Sequence, residues 1–156
     1  MLSGIIATVL HARLKVPMHL PGKQGLLYMF IIMSAVLMSG MRFSALIASS
    51  GTALLLLTGF GSFGDIFMPV NYLVVGLITD LLLQASPNRN NALLTGLAGG
   101  IAFSAIPLMR AAFSLISGAI FPSLFNGLLF PFATHLLFGF AGSFLAAVAI
   151  ATIDNK

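Results

Sequence analysis

The stretch "NALLTGLAGGIAFSAIPLMRAAFSLI", residues 91–116, contains one charged side chain, Arg110. A helix crosses a hydrocarbon core of about 30 Å with about 20 mostly apolar residues. This stretch therefore reads as a full span, and Pro107 is expected to bend it by removing a backbone donor. The rest of the chain has the same character. It is 59% hydrophobic and 6% charged, with a mean hydropathy of +1.10, whereas soluble domains carry about 25% charged residues. The fold class expected is an all-α integral membrane protein with six transmembrane helices in a compact bundle. Residues 1–156 form a single transmembrane domain.

Five further apolar runs are separated by short polar breaks. They predict helix 1 from residue 1 to about 14, helix 2 over 26–41, helix 3 over 43–60, helix 4 over 67–84 and helix 6 from about 126 to before 154. Helix 1, about 21 Å long at 1.5 Å per residue, is short for a full span. It is capped by partner protein, bent, or continued upstream. The breaks "RLKVPMHLPGKQG", "GFGSFGDIFMP" and "SGAIFPSLFNG" fall on one side of the membrane. The tighter turns "GMRF" and "QASPNRNN" fall on the other, the latter rich in the Ser, Pro and Asn that favour turns.

The six spans leave no room for a soluble domain or a nucleotide-binding loop, so any energy source has to come from a partner. The absence of cysteine removes disulfides and thiolate metal sites from consideration. In a membrane protein the net charge of +4 reflects loop topology rather than nucleic-acid binding. Orientation does not follow from charge, because Arg42, Arg89 and Lys156 lie on one side and Arg13, Lys15 and Lys23 on the other.

Ionisable groups within spans are costly, about 2.5–3.5 kcal/mol on insertion scales, and mark function by default. Arg110 is the leading candidate, since a guanidinium on the outer half of a helix either holds an anionic group in a bidentate pair or snorkels to the interface. His135, in "FPFATHLLFGF", offers an imidazole to a bound molecule or to a neighbouring helix. Asn71 and Asn126 head helices 4 and 6, where capping competes with ligand binding. Asp65 sits in a glycine-rich break, and Asp80 is placed to reach the aqueous interface or pair with Arg89. Met29, Met33, Met38 and Met41 along helix 2 suit flexible core packing better than a soft metal. Phe121, Phe125, Phe130, Phe132 and Phe138 either line a pocket or face lipid. Zinc-protease motifs and phosphate loops are absent, and the serines before Gly40, Gly51 and Gly118 are weak partners for His135 in nucleophilic catalysis. The chain reads as a non-enzyme without cofactor or resident metal.

A Pro-rich first outer loop, the "GMRFSALIASSGTALLLLTGFG" hairpin and "YLVVGLITDLLL" in the fourth of six spans resemble the substrate-binding S component of energy-coupling factor (ECF) transporters, nearest the biotin-type branch. The resemblance implies a multi-pass protein of the cell membrane with both termini in the cytoplasm. It implies capture of a vitamin-like micronutrient from outside, under outer loops one, three and five. A transmembrane coupling subunit and cytoplasmic ATPase subunits then drive the movement. In this reading "VPMHLPGKQG", residues 16–25, is a lid that turns His19, Lys23 and Gln24 to ligand or water. The binding set is Arg110, His135, Asn126, Asn71, Tyr72, His19 and Lys23, while Ser3 and Ala7 on helix 1 are the docking positions. An anionic vitamin, with biotin first, is the expected substrate. The alternatives are a haem or metal chelate, a small membrane enzyme, and a structural subunit of a membrane complex.

Overall fold

A computed structural model describes residues 1–13, 20–60, 67–86, 88, 91–125 and 127–154. The described residues form an all-helical protein: α1 (Leu2–Arg13), α2 (Gly25–Ser39), α3 (Ser44–Leu57), α4 (Met68–Ala85), α5 (Ala92–Ser117), the short 3-10 turn Pro122–Leu124, and α6 (Leu129–Asp154). Every apolar run of the sequence corresponds to a helix. Three of them, α4, α5 and α6, are long and apolar enough to cross a membrane, whereas α1, α2 and α3 are shorter apolar helices.

Neighbouring helices pack around a closed ring in the spatial order α1, α2, α6, α5, α4, α3, and α2 also touches α3 and α5. Helix α2 is consequently the most enclosed. Tyr28, Met29, Ile32, Met33 and Val36 repeat at helical spacing along its buried side. Of the four methionines expected along helix 2, Met29 and Met33 fill the core, while Met38 and, beyond the end of α2, Met41 are exposed.

Side-chain polarity is inverted relative to a water-soluble bundle. Thr8, Ser49, Thr52, Asn71, Thr79, Asp80, Thr95, Ser104, His135 and Ser143 are buried. Leu93, Leu97, Ile101 and Leu108 of α5 point outward, as do Leu77 and Leu81 of α4 and Leu137, Leu145 and Val148 of α6. In water such an apolar belt would drive association. In a bilayer it is the required surface, while the buried hydroxyls of Thr8, Ser49, Thr52, Thr79 and Ser104 bond within the protein.

Close backbone approach, more than side-chain interlock, joins the helices. A Cβ added at Gly99 of α5 would collide with Ser143 of α6, and one at Gly139 would fall 2.6 Å from Phe103 Cβ and 2.9 Å from the Gly99 carbonyl. Small residues allow this separation in lipid, where helix association depends on contact rather than on expulsion of water. Helix α1 is held the same way. Gly4 faces the Ala48 carbonyl of α3, and Thr8 and Thr52 both donate to the Gly4 carbonyl at 2.8 and 3.0 Å.

Asp80 departs from the interfacial role expected of it. It is buried and joins α4 to the start of α3, accepting from the backbone N–H groups of Ala45 (3.1 Å) and Leu46 (2.7 Å). The first N–H groups of a helix lack intrahelical partners and carry partial positive charge, so a carboxylate there is well matched. Its position follows from the tight α2–α3 turn, in which Gly40 and Phe43 take left-handed φ values of 61° and 59° and direct α3 back onto α4. Arg89, the alternative partner, lies outside the described residues. Asp80→Ala orphans two donors, each costing about 1–3 kcal/mol. A clear drop in the melting temperature of the detergent-solubilised protein is expected, and an unchanged one would rule out the clamp.

Candidate functional site

The loop-rich end of the bundle encloses a cavity of about 210 Å³. Its wall is assembled from the end of α1 (His11), the segment leading into α2 (Leu20, Gly22, Lys23, Gln24 and Gly25), the start of α4 (Met68 and Tyr72), the second half of α5 (Phe103, Ile106 and Arg110) and the start of α6 (His135). Four of the seven residues expected to bind therefore meet at one place: Arg110, His135, Tyr72 and Lys23. The volume lies below the roughly 300–1,000 Å³ of drug-sized ligand sites and fits a small metabolite.

Arg110 reaches this wall because α5 continues past Pro107 to Ser117. Its guanidinium lies 3.5 Å from Ser123 Oγ and 3.6 Å from Met68 Sδ, with Phe121 6.0 Å from the guanidinium carbon. The arginine thus bridges α5, α4 and the Pro122–Leu124 turn at the cavity mouth. Lys23 adds a second cation, and the described lining contains no carboxylate.

His135 is buried near the start of α6, its Nδ1 2.7 Å from the Pro131 carbonyl. Phe103 stacks on the ring at 5.2 Å between centroids. Gly22, with φ of +75°, lies against the same imidazole, and a Cβ there would fall 2.7 Å from Nδ1. Only glycine combines that backbone conformation with so close an approach. Gly25 similarly faces the Phe103 ring. The segment before α2 is thereby seated on the Phe103–His135 pair.

Tyr72 is fixed from beneath by Tyr28, with ring centroids 4.5 Å apart, and the Tyr28 hydroxyl is 3.1 Å from Ser49 Oγ. Asn71 occupies a different position. It does not cap α4, whose N-cap is Phe67, and it does not line the cavity. It is fully buried one turn after Met68, and neither its amide oxygen nor its amide nitrogen has a hydrogen-bond partner among the described residues. Such a group costs about 1–3 kcal/mol. Asn71→Val, which removes that cost at a volume close to that of asparagine, is expected to raise the melting temperature. A fall would mean that the amide is satisfied in the membrane by water or ligand.

His19 and Asn126 lie outside the described residues, as do Lys15, Asp65 and Arg89. The five phenylalanines suggested as a pocket do not line the cavity. Phe125 and Phe130 are exposed, and Phe121 instead lies below Arg110 and tilts against Phe67. The aromatic wall is Phe103 and Tyr72. The serine hydroxyls of Ser39, Ser50 and Ser117 donate to carbonyls of their own helices, at Val36, Ile47 and Phe113. On α1, Ala7 is buried in the bundle and Ser3 is half-buried, so the exposed face of that helix is formed by Leu2, Ile5 and Ile6.

Sequence reasoning did not single out His11, Met68, Phe103, Ile106 or Gly22 for the cavity. His11 hydrogen-bonds to Gln24 through their side chains. The signal available for it was an imidazole in the last turn of a mostly apolar helix, two residues before Arg13. No family model, curated protein or solved structure matches the chain.

Proposed function

We propose that this protein is the substrate-capture subunit of an ECF-type importer, binding a small anionic micronutrient without transforming it. The observation that carries the reading is the cavity at the loop-rich end, whose wall combines Arg110, Lys23 and His135 with Tyr72, Phe103 and Ile106. A guanidinium and an ammonium suit a carboxylate, and the aromatic and aliphatic groups cover an apolar body. Biotin is the first candidate by the sequence resemblance.

In this account all six helices lie across the cell membrane as a multi-pass unit, with the cavity outside and both termini in the cytoplasm. In this reading a transmembrane coupling subunit with cytoplasmic ATPases supplies the movement. The docking face on α1 is the exposed Leu2, Ile5 and Ile6 surface, because Ala7 is consumed by internal packing.

A second reading, a haem-like or other metal chelate, is favoured by His11, His135 and Met68 sharing the cavity wall. Among the described residues no group of three or more His, Cys, Asp or Glu side chains could hold a bare ion, so the metal would arrive with its own ligands. Purification from native membranes in mild detergent separates the readings. Co-purifying ATPases and a colourless small molecule support vitamin capture. A Soret band replaces the vitamin with haem. Turnover of lipid or peptide by the isolated chain, lost in His135→Ala, overturns both in favour of an enzyme.

A further inference from the structure

The Pro131 carbonyl fixes which nitrogen of His135 carries the proton. A carbonyl oxygen only accepts, so Nδ1, 2.7 Å away, is the donor. In the neutral ring Nε2 then holds a lone pair and acts only as an acceptor. Three neighbours limit how anything else can approach the imidazole. The α6 backbone and Gly22 crowd its Nδ1 side, and Phe103 covers a face at 5.2 Å. A molecule in the cavity that His135 lines is left the Nε2 edge.

From this geometry we infer that the ligand donates an N–H or O–H hydrogen bond to Nε2 of His135. The substrate class is then an acid that also carries a lactam, ureido, imide or hydroxyl donor, and excludes acids whose only polar group is the carboxylate. The inference rests on the proposed reading of the cavity as the ligand site. His135 is the specificity-determining residue and Pro131 the positioning one, because the Pro131 carbonyl selects the tautomer. Gly22 completes the arrangement by holding the ring against rotation.

The test uses the full chain in lipid nanodiscs and two matched pairs of probes: biotin with its N-methylated ureido derivative, and 6-hydroxynicotinate with 6-methoxynicotinate. Binding is read by calorimetry and by shift of melting temperature. Within a pair, the donor-bearing acid is expected to bind at least tenfold more tightly than its methylated partner. His135→Asn, which places an amide nitrogen near the Nδ1 position but no acceptor at Nε2, is expected to erase that preference. His135→Gln, whose amide oxygen reaches the Nε2 position, is expected to keep part of it. Equal or tighter binding of the methylated acids, or a preference that survives His135→Asn in folded protein, overturns the inference. If the methylated acids bind and depend on Arg110, the capture reading stands and only the donor requirement fails. If none of the four probes binds folded protein, both the anionic-capture reading and the donor requirement fail.

Discussion

Gly139→Leu is expected to abolish recovery of folded monomer. The contact it disrupts is between backbones. A Cβ at Gly139 already falls 2.6 Å from Phe103 Cβ and 2.9 Å from the Gly99 carbonyl, so a leucine cannot be accommodated by rotating a neighbouring side chain. Overpacking a core usually costs about 1–3 kcal/mol when side chains can yield. Here the two longest helices must separate, and the expected loss exceeds that range. Phe103 stands on one wall of the cavity and Gly139 lies one turn beyond His135, so the same substitution displaces the site. Leu137→Ala is the control: Leu137 is 60% exposed on the outward face of α6 and touches no such crossing. Size-exclusion profiles in detergent compare the two. Normal yield of Gly139→Leu would mean that α5 and α6 are not packed through their glycines.

Arg110→Ala is expected to weaken binding of the captured molecule by at least tenfold, about 1.4 kcal/mol, with little change in folded yield. The guanidinium's contact to Ser123 Oγ, at 3.5 Å, is at the limit of a hydrogen bond, and that to Met68 Sδ, at 3.6 Å, is to a weak acceptor. Its fork geometry is what an anionic ligand needs, so Arg110→Lys is expected to restore the loss only in part. Measurement is by calorimetry on protein in nanodiscs. Unchanged affinity in Arg110→Ala would remove the anion from the account. Asp80→Asn, at the opposite end of the bundle, should leave affinity intact in the molecules that fold while lowering their melting temperature.

Helix positions were legible because span length and polar breaks follow from the bilayer and from turn chemistry, neither of which requires knowledge of neighbours. Residues 91–116 and the described α5 agree within a residue at each end, with Asn91 accepting from the N–H groups of Leu93 and Leu94 as an N-cap. What was not legible is which side of each helix faces inward. In soluble proteins apolar periodicity reveals the buried face. In an apolar helix both faces are hydrophobic, and the inward one is marked by small and hydroxyl residues on α3 but by large apolar ones on α2. Ala7, expected at an external docking surface, accordingly turned out to be internal. Asp80 lies near the end of a span in sequence, yet the α2–α3 turn places the start of α3 over it. Arg110 and His135 were readable because an ionisable group in an apolar run stands out. His11, Phe103 and Gly22 join them only through the three-dimensional ring of helices.

Native mass spectrometry of the protein released from its own membranes tests the capture claim most directly. The account predicts a stoichiometric small-molecule adduct on the wild type, lost in Arg110→Ala and retained in Asp80→Asn. Folded wild type without an adduct even after incubation with a small-molecule extract of the source cells, or an adduct that survives Arg110→Ala and disappears in Asp80→Asn, would contradict it.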